Sequence, residues 1–124
     1  MKKKIYYHDT DCGGVVYYSN YLKFFEEART EFFSERGLSI KELAEAGTMF
    51  VVARQEIDYK LPSFYGDILD VTAAASNISA VRIDFDHEVK KNSQLIAKAK
   101  TIMVCVDKTL KPKSIPEEIR KKLL

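Results

Sequence analysis

Cysteine is scarce in this sequence, and long apolar runs are missing. Only two of the 124 residues are cysteines, Cys12 and Cys105. Two are too few for a disulfide framework and fit the reducing cytoplasm. No apolar stretch approaches the roughly 20 residues that a bilayer-spanning helix needs. Lysines near the N-terminus are followed by His8, Asp9 and Asp11, where a signal peptide would be apolar, and this argues against export.

The sequence also lacks linkers, internal repeats and low-complexity tracts. With 46% hydrophobic and 31% charged residues over 124 positions, it has the composition of one globular domain spanning residues 1–124. Ten Lys or Arg residues lie between Lys90 and the end of the chain. No RNA- or DNA-binding motif accompanies them, so no nucleic-acid partner is expected. A solvated basic surface or a small phosphate-bearing ligand explains this charge.

The segments that are present follow a clear order. Residues 3–8 favour a strand. Apolar residues then recur with helical spacing over residues 17–36, and residues 39–46 open with a capping box that begins a shorter helix. A final short helix is expected after Ser114, where an early proline follows. Four segments between these helices have strand character: 50–61, 67–78, 81–90 and 94–107.

Two of these segments alternate clearly between apolar and polar residues. In residues 50–61 the alternation places Val51, Ala53 and Ile57 on one face. In residues 81–90 it places His87 among apolar residues, where a hydrogen-bonded core histidine is expected rather than a catalyst. Both patterns are typical of half-buried strands.

This order of elements predicts an α+β protein. Strands joined by short turns pair in an antiparallel sheet, and the two main helices are grouped before them. The long helix carries so much aromatic surface that it must be covered over a wide arc, so we expect the sheet to wrap around it. Such a sheet leaves an outer face and edge strands uncovered, which favours a homo-oligomer.

The stretch between the first strand and the long helix has the layout of a reaction site. From Tyr7 to Tyr21 it reads Tyr-His-Asp-Thr-Asp-Cys-Gly-Gly-Val-Val-Tyr-Tyr-Ser-Asn-Tyr. Unpaired N–H groups at a helix start suit a carbonyl oxygen that becomes anionic, and glycines let the chain approach a ligand closely. The alternative is a simple turn in which Asp9, Thr10 and Asp11 act as turn and cap formers.

Asp9-Thr10-Asp11 followed by Gly14 is the most specific part of a longer pattern. Further matching segments are Val16-Tyr17, Leu22–Arg29, Phe50–Val52, Asp58–Pro62, Gly66-Asp67 and Val104–Asp107. Together they resemble the YbgC-like acyl-CoA thioesterases, of the 4-hydroxybenzoyl-CoA thioesterase branch of the hotdog-fold superfamily. The resemblance spans nearly the whole chain. It implies a hotdog fold, in which an antiparallel sheet wraps a central helix, and a homodimer or homotetramer with active sites at the subunit interface.

The resemblance also implies roles for individual residues. The family's catalytic carboxylate falls on Asp11, either as nucleophile on the thioester carbonyl or as general base for water. The backbone N–H of Tyr18 would polarise the carbonyl oxygen. The substrate would be an acyl-CoA with a short, medium or aromatic acyl group. The other expected substrate-binding residues are Gly14, Val16, Tyr17, Lys60 and Arg82.

Two details qualify these roles. Tyr18 stands where YbgC-like proteins commonly have a histidine, and the backbone N–H survives this change while a side-chain role of the histidine does not. Lys60 and Arg82 are candidates for the coenzyme A phosphates, although solvated charge explains either equally well.

Other chemistry in the Tyr7–Tyr21 stretch has weaker support. Cys12 near His8 would suit thiol chemistry, but neighbours along a strand point to opposite faces. His8, Asp9 and Asp11 could begin a metal site, yet no further ligands follow at characteristic spacing. Neither a metal nor a cofactor is therefore expected.

Two other functions are compatible with the same fold. A hydroxyacyl dehydratase would need a histidine in the helix region, and residues 19–36 contain none. A non-catalytic protein that binds acyl-CoA or an acyl carrier protein would leave Asp11 dispensable.

Overall fold

Five strands and three α-helices make up the fold. In the computed structural model, which describes residues 1–124, the strands are β1 (Lys2–Lys4), β2 (Met49–Tyr59), β3 (Ile68–Ile78), β4 (Arg82–Lys91) and β5 (Gln94–Val106). The helices are α1 (Asn20–Glu35), α2 (Ile40–Glu45) and α3 (Glu117–Leu123). The strands form one antiparallel sheet in the order β1-β3-β4-β5-β2, so β1 and β2 are its edges. The predicted α+β class and the four later strands are confirmed.

The first predicted strand is shorter than expected. Residues 3–8 were predicted as a strand, but β1 ends at Lys4 and a 3-10 turn covers Tyr7–Asp9. The reason is local hydrogen bonding: the Asp9 carboxylate accepts the Tyr6 N–H at 2.9 Å, and Thr10 N–H donates to the Tyr7 carbonyl at 3.0 Å. These bonds turn the chain away from the sheet edge.

The face assignment in β2 is wrong for its first half. A β-bulge shifts the register between Val52 and Arg54. Before it, Val51 lies opposite Val104 and is exposed, while Phe50 is directed inward opposite buried Cys105. An extra residue moves every preceding side chain to the other face, which a period-two pattern does not reveal.

Helix α1 packs across the inner face of the sheet. The α1 residues that it buries are Tyr21, Phe24, Phe25, Ala28, Arg29, Phe32 and Phe33. Phe25 stacks on His87 of β4 with ring centroids 4.7 Å apart, and Phe33 stacks on Phe50 of β2 at 5.6 Å. This helix surface is covered by four strands and the short helices, as expected for a sheet that wraps an aromatic helix.

A polar network lies within the otherwise apolar layer between α1 and the sheet. Arg29 of α1 donates from one guanidinium nitrogen to His87 Nε2 at 3.3 Å and to Thr101 Oγ1 at 3.2 Å. Thr101 donates to Gln55 Oε1 at 2.7 Å, and His87 Nδ1 contacts the Thr72 carbonyl at 3.0 Å. Burial, aided by the nearby Arg29 charge, lowers the pKa of His87 from 6.5 to about 4. His87 is thus a neutral, hydrogen-bonded core residue, as predicted.

Candidate active site

Asp11 lies at the tip of a tight turn before α1. Its Oδ1 accepts the Gly13 N–H at 2.8 Å, and the Gly14 N–H donates to its carbonyl at 3.1 Å. Asp11 N–H donates to the Val15 carbonyl at 2.9 Å, which closes the loop. Gly14 adopts φ +81°, a left-handed conformation that favours glycine. The Asp11 side chain is exposed yet fixed on one side by a backbone donor, which leaves its other oxygen open to a ligand.

Asp9 orders the loop from within. Its side chain is buried against the Tyr6 N–H, and its carbonyl accepts the Tyr17 N–H at 2.9 Å and the Asn20 side-chain amide at 2.8 Å. Thr10 Oγ1 donates to the Tyr7 carbonyl at 2.6 Å. These contacts tie the turn to the start of α1, as expected for residues with structural roles.

The start of α1 offers an unpaired backbone donor. Whereas the Tyr17 N–H is engaged with Asp9, the Tyr18 N–H donates to no acceptor in the chain. Ser19, the N-cap residue, makes no side-chain capping bond, so the positive end of the helix is left open. The Tyr18 carbonyl accepts the Tyr59 hydroxyl at 2.9 Å, which anchors this segment to the end of β2.

Asp11 and the Tyr17–Tyr18 segment lie near one another. The pKa of Tyr17 is raised above its ordinary value, chiefly by its neighbour Tyr18 and in smaller part by the negative charge of Asp11. The rings of Tyr17 and Tyr18 are 4.8 Å apart. Two backbone bonds hold the Asp11 loop against the start of α1: Asp11 N–H to the Val15 carbonyl and Tyr17 N–H to the Asp9 carbonyl, both at 2.9 Å.

An apolar groove of about 290 Å³ opens beside Tyr18. Its lining residues are Val15, Val16, Tyr18, Tyr21, Tyr59, Lys60, Leu61 and Pro62. Tyr59 lies edge-on to Tyr18 at 6.3 Å and to Tyr21 at 5.6 Å. Burial raises the pKa of both Tyr59 and Tyr21, so their hydroxyls remain neutral near pH 7. The groove offers aromatic walls and one cation, Lys60, to a bound molecule.

The expected site residues fall into two groups. Asp11, Gly14 and Tyr17 share the loop, and Val16, Tyr18 and Lys60 line the groove. Arg82 lies in neither the loop nor the groove.

The surroundings of Arg82 are those of another surface. It lies at a second cavity of about 210 Å³ together with Arg54, Glu56, Lys100 and Ile102. Its Nε pairs with Asp84 Oδ1 at 3.0 Å. Within one protomer, Arg82 therefore belongs to a charged region apart from the groove.

Sequence reasoning gave no site role to Tyr59, which lines the groove, or to Ser63, which contacts the groove residue Tyr21. Tyr59 was expected on the apolar face of its strand and within the Asp58–Pro62 segment of the family pattern, and Ser63 had no signal at all. In the structure Tyr21 Oη and Ser63 Oγ are 2.5 Å apart, and the Val16 N–H donates to the Ser63 carbonyl at 2.8 Å. Residues 58–62 lie next to the Asp11 loop only because of tertiary packing, which a local sequence pattern does not encode.

The remaining chemistry-bearing residues are dispersed. Cys12 is exposed, whereas Cys105 is buried and burial raises the pKa of its thiol. No group of three or more His, Cys, Asp or Glu side chains is arranged to hold a metal ion. No helix in the structure has the length and apolar character needed to cross a membrane.

Known proteins resemble this chain over almost its full length. Residues 6–123 match the model of the thioesterase-like superfamily. Acyl-CoA thioesterase YbgC from Haemophilus influenzae is 36% identical over 119 residues, covering 94% of this chain and 88% of that protein. A solved structure from Aquifex aeolicus has a TM-score of 0.96 at 31% identity, covering 100% of this chain and 98% of that one. A 1,4-dihydroxy-2-naphthoyl-CoA thioesterase from Synechocystis has a TM-score of 0.91 at 28% identity, covering 99% and 93%.

Proposed function

The chain belongs to the thioesterase-like superfamily and has its hotdog fold, and on that premise we propose that it hydrolyses the thioester of an acyl-CoA with Asp11 as the reacting carboxylate. Two groups support the proposal: Tyr18 lines the groove, and Asp11 is bonded through its N–H to the carbonyl of Val15, another groove residue. Asp11 presents an exposed carboxylate, and Tyr18 presents a backbone N–H without an acceptor. A thioester carbonyl placed between them would meet both a base or nucleophile and an oxyanion donor.

Two routes use the same groups. As a general base, Asp11 takes a proton from water while the water oxygen attacks the carbonyl carbon. As a nucleophile, Asp11 itself attacks, the C–S bond breaks, and water then hydrolyses the mixed anhydride to regenerate the carboxylate. In both routes the Tyr18 N–H stabilises the oxygen that becomes anionic, and the thiolate of coenzyme A leaves and takes up a proton.

The groove is proposed to bind the acyl end of the substrate. Its apolar and aromatic lining suits short, medium or aromatic acyl groups. Gly14, Val16 and Tyr17 are proposed to contact the reacting end, and Lys60 to approach the coenzyme A phosphates. Arg82 is proposed as a further phosphate contact, at its own cavity outside the groove.

We also propose an oligomeric state and a cellular location for the protein. Residues 1–124 act as one thioesterase domain in a homodimer or homotetramer, because β2 leaves eleven residues of strand at an open edge. The scarcity of cysteine supports a cytoplasmic protein, in which an acyl carrier protein is a further possible acyl donor.

The experiment is an acyl-CoA panel scored by free thiol release. Short, medium and aromatic acyl groups are each tested with the wild type, with Asp11→Asn, and with Asp86→Asn as a matched control on the exposed face of β4. We expect thiol release from at least one class, lost in Asp11→Asn and retained in Asp86→Asn. Binding of acyl-CoA without thiol release from any class would contradict the proposal and support a non-catalytic acyl-binding protein.

A further inference from the structure

Tyr59, the last residue of β2, contacts the start of α1 with both its ring and its hydroxyl. The ring forms part of the groove wall and lies edge-on to Tyr18 and Tyr21. The hydroxyl donates to the Tyr18 carbonyl at 2.9 Å. One side chain therefore shapes the groove and also binds the backbone of the residue that carries the unpaired donor.

The peptide unit between Tyr18 and Ser19 has no other hydrogen bond within the chain. No backbone N–H donates to its carbonyl, and the Ser19 N–H has no acceptor. The Ser19 side chain makes no capping bond. The Tyr18 side chain is 61% exposed, so few packing contacts hold it. The Tyr59 hydroxyl is therefore the one polar contact that fixes this peptide unit.

Tyr18 and Ser19 are the central residues of a turn that extends α1 backward toward the Asp11 loop. Asn20 N–H donates to the Tyr17 carbonyl at 2.9 Å and closes this turn. Ser19 has right-handed helical angles, with φ −73° and ψ −17°. In the first turn of a helix the N–H groups point out of its N-terminal end. The N–H groups of Tyr18 and Ser19 are therefore neighbours, and neither has an acceptor in the chain.

The Tyr59 hydroxyl also makes this peptide unit a stronger donor. A carbonyl that accepts a hydrogen bond is polarised, and the N–H of the same peptide unit, here that of Ser19, then donates more strongly. Burial, and in smaller part the neighbouring Tyr18, raises the pKa of Tyr59, so the hydroxyl keeps its proton and remains a donor near pH 7. Donors that are already oriented need no rearrangement when negative charge develops on a substrate oxygen.

We propose that Tyr59 is a positioning residue for thioester hydrolysis: through the Tyr18 carbonyl, its hydroxyl holds the Ser19 N–H as a second donor beside the Tyr18 N–H. Both donors then face the thioester oxygen that becomes anionic. The ring of Tyr59 meanwhile contacts the acyl group in the groove. The inference rests on the proposed function and adds to it the hydroxyl of Tyr59 and the backbone N–H of Ser19.

The first test measures kcat and KM for thiol release in two matched variants. Tyr59→Phe removes the hydroxyl and keeps the ring. We expect kcat to fall about fivefold or more, because one hydrogen bond that supports the transition state is lost, while KM stays within about twofold. Tyr65→Phe removes the same atom from a tyrosine that is 61% exposed and lies outside the groove. For this control we expect kcat and KM within about twofold of the wild type.

The second test observes the polarised carbonyl itself. The probe is a ketone analogue of an acyl-CoA that the wild type hydrolyses, with a methylene group in place of the thioester sulfur and a ¹³C label at the carbonyl carbon. In the wild type we expect the carbonyl resonance to move downfield on binding. The displacement should be smaller in Tyr59→Phe and unchanged in Tyr65→Phe. A purely structural defect would lower the intensity of the bound signal and leave its position unchanged.

A second substitution covers the case in which Tyr59→Phe does not fold, as circular dichroism would reveal. Site-specific incorporation of 3-fluorotyrosine at position 59 keeps the ring and the hydroxyl, and fluorine makes the hydroxyl a stronger donor. We expect the bound carbonyl resonance to move further downfield than in the wild type. A displacement equal to or smaller than that of the wild type would overturn the inference.

Two further results would overturn the inference while the proposed function stands. They are a folded Tyr59→Phe protein with the kcat of the wild type, and a bound carbonyl resonance at the same position in both proteins. Either result would leave Tyr59 with a role in the groove wall alone. A wild type that releases no thiol from any acyl-CoA would instead contradict the proposed function, and the inference would fall with it.

Discussion

The loop before α1 and the layer between α1 and the sheet, which contains the Arg29 network, hold their polar groups in different ways. In the loop, Asp9 and Asp11 bond to backbone groups within three residues in sequence, at Tyr6 and Gly13. In the layer, Arg29, Thr101 and His87 come from three different elements. Local bonds leave the Asp11 carboxylate exposed, whereas long-range bonds hold the Arg29 guanidinium inside against the neutral groups of His87 and Thr101. The comparison predicts that changes in the layer alter stability and changes at the loop tip alter turnover.

The largest change in the free energy of unfolding is expected in the layer between α1 and the sheet. Phe25 is fully buried and stacks on His87. Phe25→Ala should lower the free energy of unfolding by about 3–5 kcal/mol, because it removes buried aromatic area and leaves a cavity. Urea denaturation measures the loss. Leu110→Ala, at a position 65% exposed, is the control; similar losses for both would contradict the assignment of the core.

The pH dependence of stability should report His87. Its pKa falls from 6.5 to about 4 in the folded protein, so the unfolded chain binds more protons as pH falls through this window. The contribution of His87 is present above pH 6.5 and is lost between about pH 6.5 and 4. This loss amounts to about 3 kcal/mol.

Urea unfolding at pH 7 and at pH 4.5 checks this prediction. His87→Gln should be less stable than the wild type at pH 7, yet lose less stability on acidification. A variant with the same pH dependence as the wild type would show that other groups cause the effect.

A smaller effect is expected from crowding the loop tip. A Cβ on Gly13 would lie 3.2 Å from Asp11 Oδ1 and would push the carboxylate by a few tenths of an ångström. Gly13→Ala should therefore lower kcat by roughly tenfold while changing the free energy of unfolding by less than about 1 kcal/mol. Cys12→Ser, at the neighbouring exposed position, should keep full activity. Loss of activity in Cys12→Ser would contradict this expectation and support thiol chemistry at Cys12.

The difference between local and long-range bonds also explains which features could be predicted from the sequence. Periodicity predicts the long helix and the later strands because each is half-buried, and the buried face of β4 follows that pattern. The register shift near Val52 and the hydrogen bonds that form the 3-10 turn at Tyr7–Asp9 are features that a period does not encode. Within the candidate site, Asp11 and Tyr18 were predicted from a sequence pattern. The contact of Tyr59 with Tyr18 required the tertiary fold.

The most direct test compares the two carboxylates of the loop in Asp11→Asn and Asp9→Asn. We expect Asp11→Asn to lower kcat for thiol release by roughly 10²-fold or more, with the free energy of unfolding unchanged within about 1 kcal/mol. Asp9→Asn should lower stability by about 1–2 kcal/mol and activity only modestly, because its bond to the Tyr6 N–H is weakened. A folded, oligomeric Asp11→Asn protein that releases thiol at the wild-type rate would contradict the role of Asp11 as the reacting carboxylate.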